Sequence, residues 1–471
     1  MTTHRAVLVA AALALVPLSG VVSTARAATA TAAAAAAVTP AVESRPSVLP
    51  FIHDDYAKAI ADAKAKKQLV FVDAGAPWCH ACRSMDAFVF TDPALKKDAE
   101  RFVWLSLNTE NRKNAGFLKK NPIPALPTYL VVDPLSDKVV MRWVGGASVA
   151  QLQQVFNDAD VAMHGGQPHE PVDIAMARGD AAYSNEQHLE AVKAYRQALA
   201  AAPPGWASYT RCVESLLFSL SQVDSNQAVI DLAHAVMPQV AGTTTYISAA
   251  GSGLSSALAL PDGSPNKRQD AIAFEAQLRE ALGDASIQLT SDDRSSYLSS
   301  FIDAREAAKD SVGAHNAAQD WADFLERAAR EARTPVERAV FDPHRLSAYL
   351  ALGTPEKAVP MLQLSEKEFP TDCNPPARLA TAYLKLKRYD DALAASDRAM
   401  ALPMSDGPRK LLYYQTRIDI YTAKGDAASA KKTLEAAIAF AQGLPEGQRS
   451  EKRIASLKAK LEKLTQTSSA Q

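Results

Sequence analysis

The chain has 471 residues, of which 48% are hydrophobic, so it is too long for one ordinary domain and apolar enough to bury more than one core. Its formal net charge is −1, and this near balance of charge gives no indication of nucleic acid or of an anionic membrane surface as a partner. We therefore expect two or more domains and no nucleic-acid partner.

The first 27 residues have the pattern of a signal peptide for export. Arg5 supplies a basic segment, an apolar run follows it, and Ala25-Arg26-Ala27 forms an A-x-A cleavage site. An uncleaved anchor is the alternative, but Pro17 and Gly20 interrupt a run that is already short for a bilayer span. The pattern predicts a periplasmic or secreted mature chain without a membrane span, in a compartment that favours disulfides.

Residues 28–50 are rich in alanine and proline and are predicted to be a disordered linker. Residues 51–163 alternate between helical and strand patterns. We predict strands at 68–74, 102–108, 128–133 and 138–144, and helices at 54–67, at 79–89, from Pro93 with Asp92 as N-cap, and from Ser148 with Gln151 completing a capping box. Helices between short apolar strands predict an α/β fold, a central mixed sheet with helices on both faces.

After a second linker at 164–171 the strand patterns stop, and residues 172–471 are predicted to form an α-helical repeat domain. Small and aromatic residues recur with a period near 34, as in tetratricopeptide repeats: Gly179 and Tyr195 occupy such positions in one unit, and Ala358 and Ala392 are 34 positions apart. Between the clear repeats, residues 208–334 are helical without a clear repeat. Residues 242–265 are predicted to be an irregular or mobile interruption.

Two cysteines separated by two residues, Cys79 and Cys82, lie where a predicted strand passes into a helix. Unpaired N–H groups at a helix N-terminus favour a thiolate at Cys79, which we expect to be the nucleophile. Cys82, one turn further, would then resolve the mixed disulfide. Asp73 ends the preceding strand, and we expect its pKa to be raised by burial so that it accepts the proton of Cys82. A paired structural acid is the alternative for Asp73.

The run from Val72 to Cys82, which includes Trp78 and Ala81, and the later Leu126-Pro127-Thr128 resemble the thioredoxin superfamily. Within it, the sequence resembles the periplasmic thioredoxin-like domain of thiol:disulfide interchange proteins of the DsbD type, over residues 52–160. The resemblance implies that Pro127 is cis and faces the dithiol, and that the backbone of Leu126 pairs with an extended substrate. An ordinary proline at the start of a strand is the alternative.

Two residues beside the cysteines have open roles. As an imidazolium, His80 would stabilise the thiolate, whereas a solvent-facing spacer would have little influence. Trp78 either shields the dithiol from solvent or contacts the substrate.

Metal binding is a rival use of the cysteine pair. Cys-His-x-Cys offers three ligands, but structural zinc needs four, and no second Cys/His cluster lies nearby in the sequence. Attachment of haem needs a histidine directly after Cys82, where Arg83 stands, and a structural disulfide would close too small a loop to stabilise much. We predict no metal site and no cofactor.

The other two cysteines are predicted to play no part in the chemistry. Cys212 lies in an apolar helix and is expected to be buried, and Cys373 is expected to be an incidental surface thiol. A bridge between them is the alternative. Scattered histidines show no ligand spacing and are expected to be solvated; they are His164, His169, His188 and His234.

These features together predict an exported thiol–disulfide oxidoreductase in which Cys79 attacks and Cys82 resolves. The repeat domain would bind protein clients, and a redox donor or acceptor protein would complete the cycle. The alternative is an interaction scaffold built on the repeats, with a redox-sensing or vestigial thioredoxin-like module. The sequence does not distinguish a reductase from an oxidase or an isomerase, because small local changes shift the potential of such pairs widely.

Overall fold

The computed structural model describes residues 47–164, 170–402 and 406–469, which belong to one compact unit. The predicted signal peptide, nearly all of the first linker and most of the second lie outside the described residues. Within these ranges no helix has the length and apolar character needed to cross a bilayer.

The first part of the fold is a five-stranded mixed sheet. Its strands are β1 (Ile52–His53), β2 (Leu69–Gly75), β3 (Phe102–Asn108), β4 (Thr128–Asp133) and β5 (Lys138–Val144), in the order β1-β3-β2-β4-β5. β1 and β2 run parallel to β3, whereas β4 is antiparallel to both β2 and β5. The predicted sheet is confirmed, and only β1, too short to leave a pattern, was not predicted.

Side chains alternate between the two faces of this sheet, and each face is covered. The helices are α1 (Tyr56–Lys66), α2 (His80–Ser84), α3 (Ala115–Lys120) and α4 (Val149–His164). On one face Phe71 of β2 and Trp104 of β3 pack on Phe156 of α4, and on the other Val70 and its neighbours pack on α1 and α3. The central strands are therefore buried on both sides, as predicted.

The predicted helix starts are found in the structure, with small changes in the type or length of the helix that follows. The predicted helix 79–89 is α2 followed directly by a π-helical turn, Met85–Val89. Asp92 caps a 3₁₀ helix, Pro93–Asp98, and its carboxylate accepts from the N–H of Ala94 at 2.8 Å. The capping box before α4 forms, with Ser148 N–H donating to Gln151 Oε1 at 2.9 Å.

The rest of the chain is helical and continues as antiparallel pairs, which confirms the tetratricopeptide-like array. Its helices are α5 (Pro171–Ser184), α6 (His188–Ala201), α7 (Tyr209–Gln222), α8 (Asn226–Val236), α9 (Thr244–Ala259), α10 (Lys267–Gly283), α11 (Ser291–Ala307), α12 (Ser311–Glu331), α13 (Pro335–Ala339), α14 (Asp342–Ala351), α15 (Ala358–Glu368), α16 (Asn374–Lys385), α17 (Tyr389–Ala401), α18 (Lys410–Lys424), α19 (Ala427–Gln442) and α20 (Glu451–Ser469).

Small and aromatic residues at the repeat positions pack as the pattern requires. A Cβ on Gly179 of α5 would lie 2.4 Å from the ring of Tyr195 on α6, which is fully buried. Ala358 and Ala392, the corresponding small residues of later repeats, are also fully buried. Close approach of paired helices is what selects the small residue in each unit.

The prediction of an irregular stretch at 242–265 is wrong, because most of it is helix α9. Its glycines mark close helix contacts and do not break the helix. A Cβ on Gly251 would lie 2.6 Å from the ring of Tyr297, and one on Gly253 would lie 2.6 Å from Phe274.

Cys212 and Cys373 are both free and both buried, so the bridge is not formed. The prediction that Cys373 is a surface thiol is wrong: it is 3% exposed, because α18 packs over it and brings the Tyr413 hydroxyl within 3.2 Å of its sulfur. Burial raises the pKa of both thiols.

Candidate dithiol site

Cys79 and Cys82 lie at the turn from β2 into α2 and form a disulfide with Cα atoms 5.2 Å apart. Cys79 is the N-cap of α2, and its sulfur accepts a hydrogen bond from the N–H of Cys82 at 3.1 Å. That N–H stabilises negative charge on Cys79 in the reduced form. The cysteines are only 5% and 7% exposed, so a reacting partner must reach a covered site.

Asp73 lies on β2 beneath this turn and is buried. A Cβ built on Gly75 would lie 3.4 Å from the Cys82 sulfur and 3.9 Å from Asp73 Oδ1, so the glycine leaves the two side chains on either side of one small space. Burial raises the pKa of Asp73 well above its usual range, and the charge of Asp86 adds to the rise. Asp73 is therefore a carboxyl group with a raised pKa close to the side chain of Cys82.

Asp86 is a second acid at the site and was not predicted. It lies on the π-helical turn after α2, and its side chain opens onto a cavity of about 350 Å³ that Ser47, His53 and Glu337 also line. The pKa of Asp86 is raised to about 6, because the effect of burial outweighs the opposing charges of Arg83 and His53. Asp86 lies seven residues, or two helical turns, after Cys79. Helical spacing could therefore have predicted that the two residues lie on the same side of the helix.

The Leu126–Pro127 peptide bond is cis, as the resemblance implies. Leu126 and Ala81 pack against the cluster that both cysteines form, together with Trp78. The carbonyl of Pro127 accepts from the N–H of Gly145 at 2.8 Å, which ties this loop to the end of β5. The loop therefore stands beside the dithiol.

Trp78 is held by groups that are distant in the sequence. Its indole N–H donates to Glu110 Oε1 at 2.8 Å, and the guanidinium of Arg409 lies 4.3 Å from the centroid of its ring. The backbone N–H of Arg409 donates to the other oxygen of Glu110, also at 2.8 Å. The pKa of Glu110 is raised, because the effect of burial outweighs the opposing hydrogen bonds from Arg409 and Trp78.

His80 contacts the helical region, which neither alternative for this residue anticipated. Its Nδ1 lies 2.8 Å from Oδ2 of Asp292, the second residue of α11, and its ring lies 4.2 Å from that of His344 on α14. Burial, together with the charges of His80 and Arg378, lowers the pKa of His344 to about 4, against the opposing effect of Asp292. Neither Asp292 nor His344 carries a sequence signal that pairs it with His80.

Further contacts join residues 77–84, the active-site segment, to the helical region. Arg83 Nη1 lies 2.9 Å from Asp372 Oδ2, the amide of Asn374 donates to the carbonyl of Pro77 at 3.2 Å, and Ser84 donates to Thr290 Oγ1 at 3.2 Å. The helical region therefore covers the segment that carries both cysteines.

Among the histidines expected to be solvated, His234 is 44% exposed and pairs with Asp270 at 3.0 Å. His188 is near Tyr183, with ring centroids 6.0 Å apart. The side chains of His164 and His169 lie outside the described residues.

Comparison with known proteins agrees with the geometry of the first part of the chain. A family model described as thioredoxin-like matches residues 52–134. A thiol:disulfide interchange protein DsbD from Pseudoalteromonas atlantica (strain T6c / ATCC BAA-1087) is 33% identical over 82 residues, which are 17% of this chain and 14% of that protein. The similarity thus spans a small part of that relative.

Two solved structures align with about three fifths of the chain at low TM-scores. A tetratricopeptide repeat protein from Parabacteroides merdae ATCC 43184 covers 63% of this chain and 100% of its own, with 12% identity and a TM-score of 0.39. The TPR2AB-domain:pHSP90 complex of yeast Sti1 covers 62% and 98%, with 17% identity and a TM-score of 0.23. Residues 52–134 are thus similar to a thioredoxin-like family and carry a Cys-x-x-Cys pair, and an array of paired helices follows them.

Proposed function

We propose that this protein is an exported thiol–disulfide oxidoreductase that acts on protein clients. The observation that carries the proposal is the placement of the Cys79–Cys82 pair at the start of α2, with the cis Leu126–Pro127 bond beside it and Asp73 next to Cys82. The matched segment of a thiol:disulfide interchange protein supports the same chemistry.

In the reducing direction, the Cys79 thiolate attacks one sulfur of a client disulfide. The client S–S bond breaks, a mixed disulfide forms, and the first client sulfur leaves as a thiolate that takes up a proton. Cys82 then loses its proton to Asp73 and attacks the sulfur of Cys79. The Cys79–Cys82 disulfide forms, the second client thiolate leaves, and two electrons have passed from the chain to the client. Oxidation of a client dithiol is the reverse sequence.

The pKa of Asp73 depends in part on a second acid, Asp86. The charge of Asp86 acts on Asp73, and Asp86 itself opens onto the cavity beside the π-helical turn.

The remaining groups bind and position the partners. The backbone of Leu126, beside the dithiol, pairs with an extended segment of the client, as in a sheet edge. Trp78 and Ala81 form the surface next to the reacting sulfur. The helical array recruits the client and the redox partner, since repeat arrays present extended binding surfaces. The signal pattern at residues 1–27 supports export to the periplasm or the exterior.

Trapping of mixed disulfides tests this proposal. Cys82→Ser leaves Cys79 able to attack but removes the resolving thiol, so covalent client adducts that dithiothreitol releases should accumulate. Cys79→Ser should form no adducts and should lose turnover of an insulin-type disulfide substrate. Cys212→Ser, a buried cysteine away from the site, is the matched control and should behave as wild type. Turnover that survives in Cys79→Ser would refute the proposal.

A second candidate is a scaffold whose helical array is the working part. The observation that favours it is the burial of both cysteines beneath contacts from the helical region. In that case Cys79→Ser leaves the function of the protein in cells intact, whereas loss of the array abolishes it.

A further inference from the structure

A histidine of the active-site segment meets an aspartate and a second histidine of the helical region. Nδ1 of His80 lies 2.8 Å from Oδ2 of Asp292, and Nδ1 of His344 lies 3.6 Å from Oδ1 of the same carboxylate. One nitrogen from each imidazole and one carboxylate oxygen all lie within 4.8 Å of one another. Ligand atoms from α2, α11 and α14 therefore converge on one point.

The carboxylate at the centre of this group is incompletely satisfied. The side chain of Asp292 is fully buried, and its Oδ1 accepts no hydrogen bond from any residue in the described ranges 47–164, 170–402 and 406–469. A buried oxygen without a donor is costly to retain. A simple ion pair of His80 with Asp292 uses Oδ2 and leaves Oδ1 without a donor, whereas a cation bound between the three side chains would satisfy Oδ1.

A further shell of contacts orients His344. Its Nδ1 lies 2.8 Å from the hydroxyl of Ser295, and that hydroxyl accepts from the indole N–H of Trp321 at 2.7 Å. These contacts hold the His344 imidazole in position beside Asp292.

We propose that His80, Asp292 and His344 bind a divalent transition-metal ion of the zinc class, which ties the active-site segment to the helical region. Two imidazoles and one carboxylate suit Zn²⁺ and its neighbours, whereas Mg²⁺ and Ca²⁺ prefer sets of oxygen ligands. Three protein ligands leave a coordination position for water or a further ligand. The site differs from the Cys-His-x-Cys triplet weighed on the sequence, because the cysteines take no part in it.

Zinc titration of the oxidised, metal-free full-length chain tests the proposal. In this form the sulfurs of Cys79 and Cys82 are held in the disulfide and do not compete as thiolates. Isothermal titration with Zn²⁺ should show one saturable site per chain, and Mg²⁺ should not bind there. His344→Gln and Asp292→Asn should each weaken zinc binding by at least about tenfold.

The matched control is His234→Gln, which removes a histidine that also pairs with an aspartate, Asp270, but does so at the surface. It should bind zinc as wild type does. Circular dichroism and thermal melting establish that each variant is folded, and His344→Gln serves alone if the loss of the buried Asp292 charge prevents folding. Absence of a saturable site in wild type, equal affinity in His344→Gln, or an equal loss in His234→Gln overturns the proposal.

Discussion

The guanidinium of Arg83, one residue after Cys82, lies 2.9 Å from the carboxylate of Asp372, which is 289 positions further along the chain. Asp372 also accepts from both the backbone N–H and the side-chain amide of Asn374, and that amide reaches the carbonyl of Pro77. Asp372 and Asn374 together therefore link the start of α16 to Arg83 and Pro77 of the active-site segment. We expect these contacts to limit the access of a protein partner to Cys79.

Asp372→Ala should make the Cys79–Cys82 disulfide more accessible to a protein thiol. A charge-assisted hydrogen bond of this kind contributes about 1.5 kcal/mol or more, so the rate of reduction by a thioredoxin-sized reductant should rise by roughly tenfold. Reduction by dithiothreitol, which needs less opening, should change less. This comparison separates access from any change in the electrostatics around Arg83.

Asp391→Ala is the control for this variant. Asp391 pairs with Arg388 at 2.8 Å in the same helical region. Both side chains are exposed, and the pair lies within the helical array. Such surface pairs contribute little, so its reduction rates should match those of wild type. Equal acceleration of both reductants in Asp372→Ala would contradict the covering role of the helical region.

Stability should depend on pH through Asp73. Burial and the charge of Asp86 raise its pKa in the folded chain, whereas in the unfolded chain the carboxyl titrates near pH 4. The folded state therefore binds this proton more tightly. Its contribution to stability is complete below pH 4 and is lost as the pH rises through the folded-state pKa.

Asp73→Asn should remove this pH dependence. The variant should be more stable than wild type at pH 8, by about 1.4 kcal/mol for each unit by which the pKa is raised, and equal to it below pH 4. Denaturant unfolding of the oxidised chains between pH 4 and 8 measures the difference. Asp133→Asn is a control of opposite sign, because hydrogen bonds from Ser136 and Leu135 lower the pKa of Asp133. An unchanged pH slope in Asp73→Asn would refute the assignment.

The local parts of the fold and site follow from local sequence. The strand at 102–108 is predicted to the residue because its apolar run is bounded by charged and polar residues. Cys79 and Asp73 were chosen as candidates from a short run in which a strand passes through a turn into a helix, whereas the cis bond before Pro127 was implied by the resemblance to the thioredoxin superfamily. These features depend on interactions between near neighbours, which periodicity records.

The cover over the dithiol does not follow from the sequence, for a physical reason. Asp292, His344 and Asp372 reach the active-site segment only because helices pack on the α/β part, and no local pattern encodes that packing. The error at 242–265 has a related cause. This stretch was predicted to be irregular, but its Gly251 and Gly253 lie within a helix, and each is small because an aromatic ring from another helix lies against it.

Gly179→Ala should lower the stability of the helical array. The new Cβ would lie 2.4 Å from the ring of Tyr195, which is fully buried and cannot move without displacing its neighbours. Overpacking of this kind costs about 1–3 kcal/mol. Gly283→Ala is the matched control, since nothing lies within 4 Å of its added Cβ. Because alanine favours a helix, that variant should be neutral or more stable by up to about 1 kcal/mol in thermal unfolding. Equal stability of the two variants would contradict the packing described for α5 and α6.

Glu110→Ala should release Trp78 from the helical region. The carboxylate accepts from the Trp78 indole and from the Arg409 backbone N–H, each at 2.8 Å, so its loss leaves two donors without their acceptor. Each unpaired donor costs about 1–3 kcal/mol where it stays buried. Amide hydrogen exchange within residues 77–84 should accelerate, and reduction of the disulfide by a protein thiol should become faster.

Glu446→Ala offers the matched comparison at the same junction. Glu446 pairs with Lys119 of α3 at 2.8 Å, but both side chains are more than half exposed, and water replaces the contact when it is lost. Exchange in residues 77–84 should therefore stay at the wild-type rate. If both glutamate variants accelerate exchange alike, the junction opens as a whole and Trp78 is not its specific anchor. If neither does, the contacts of Glu110 do not hold the active-site segment closed.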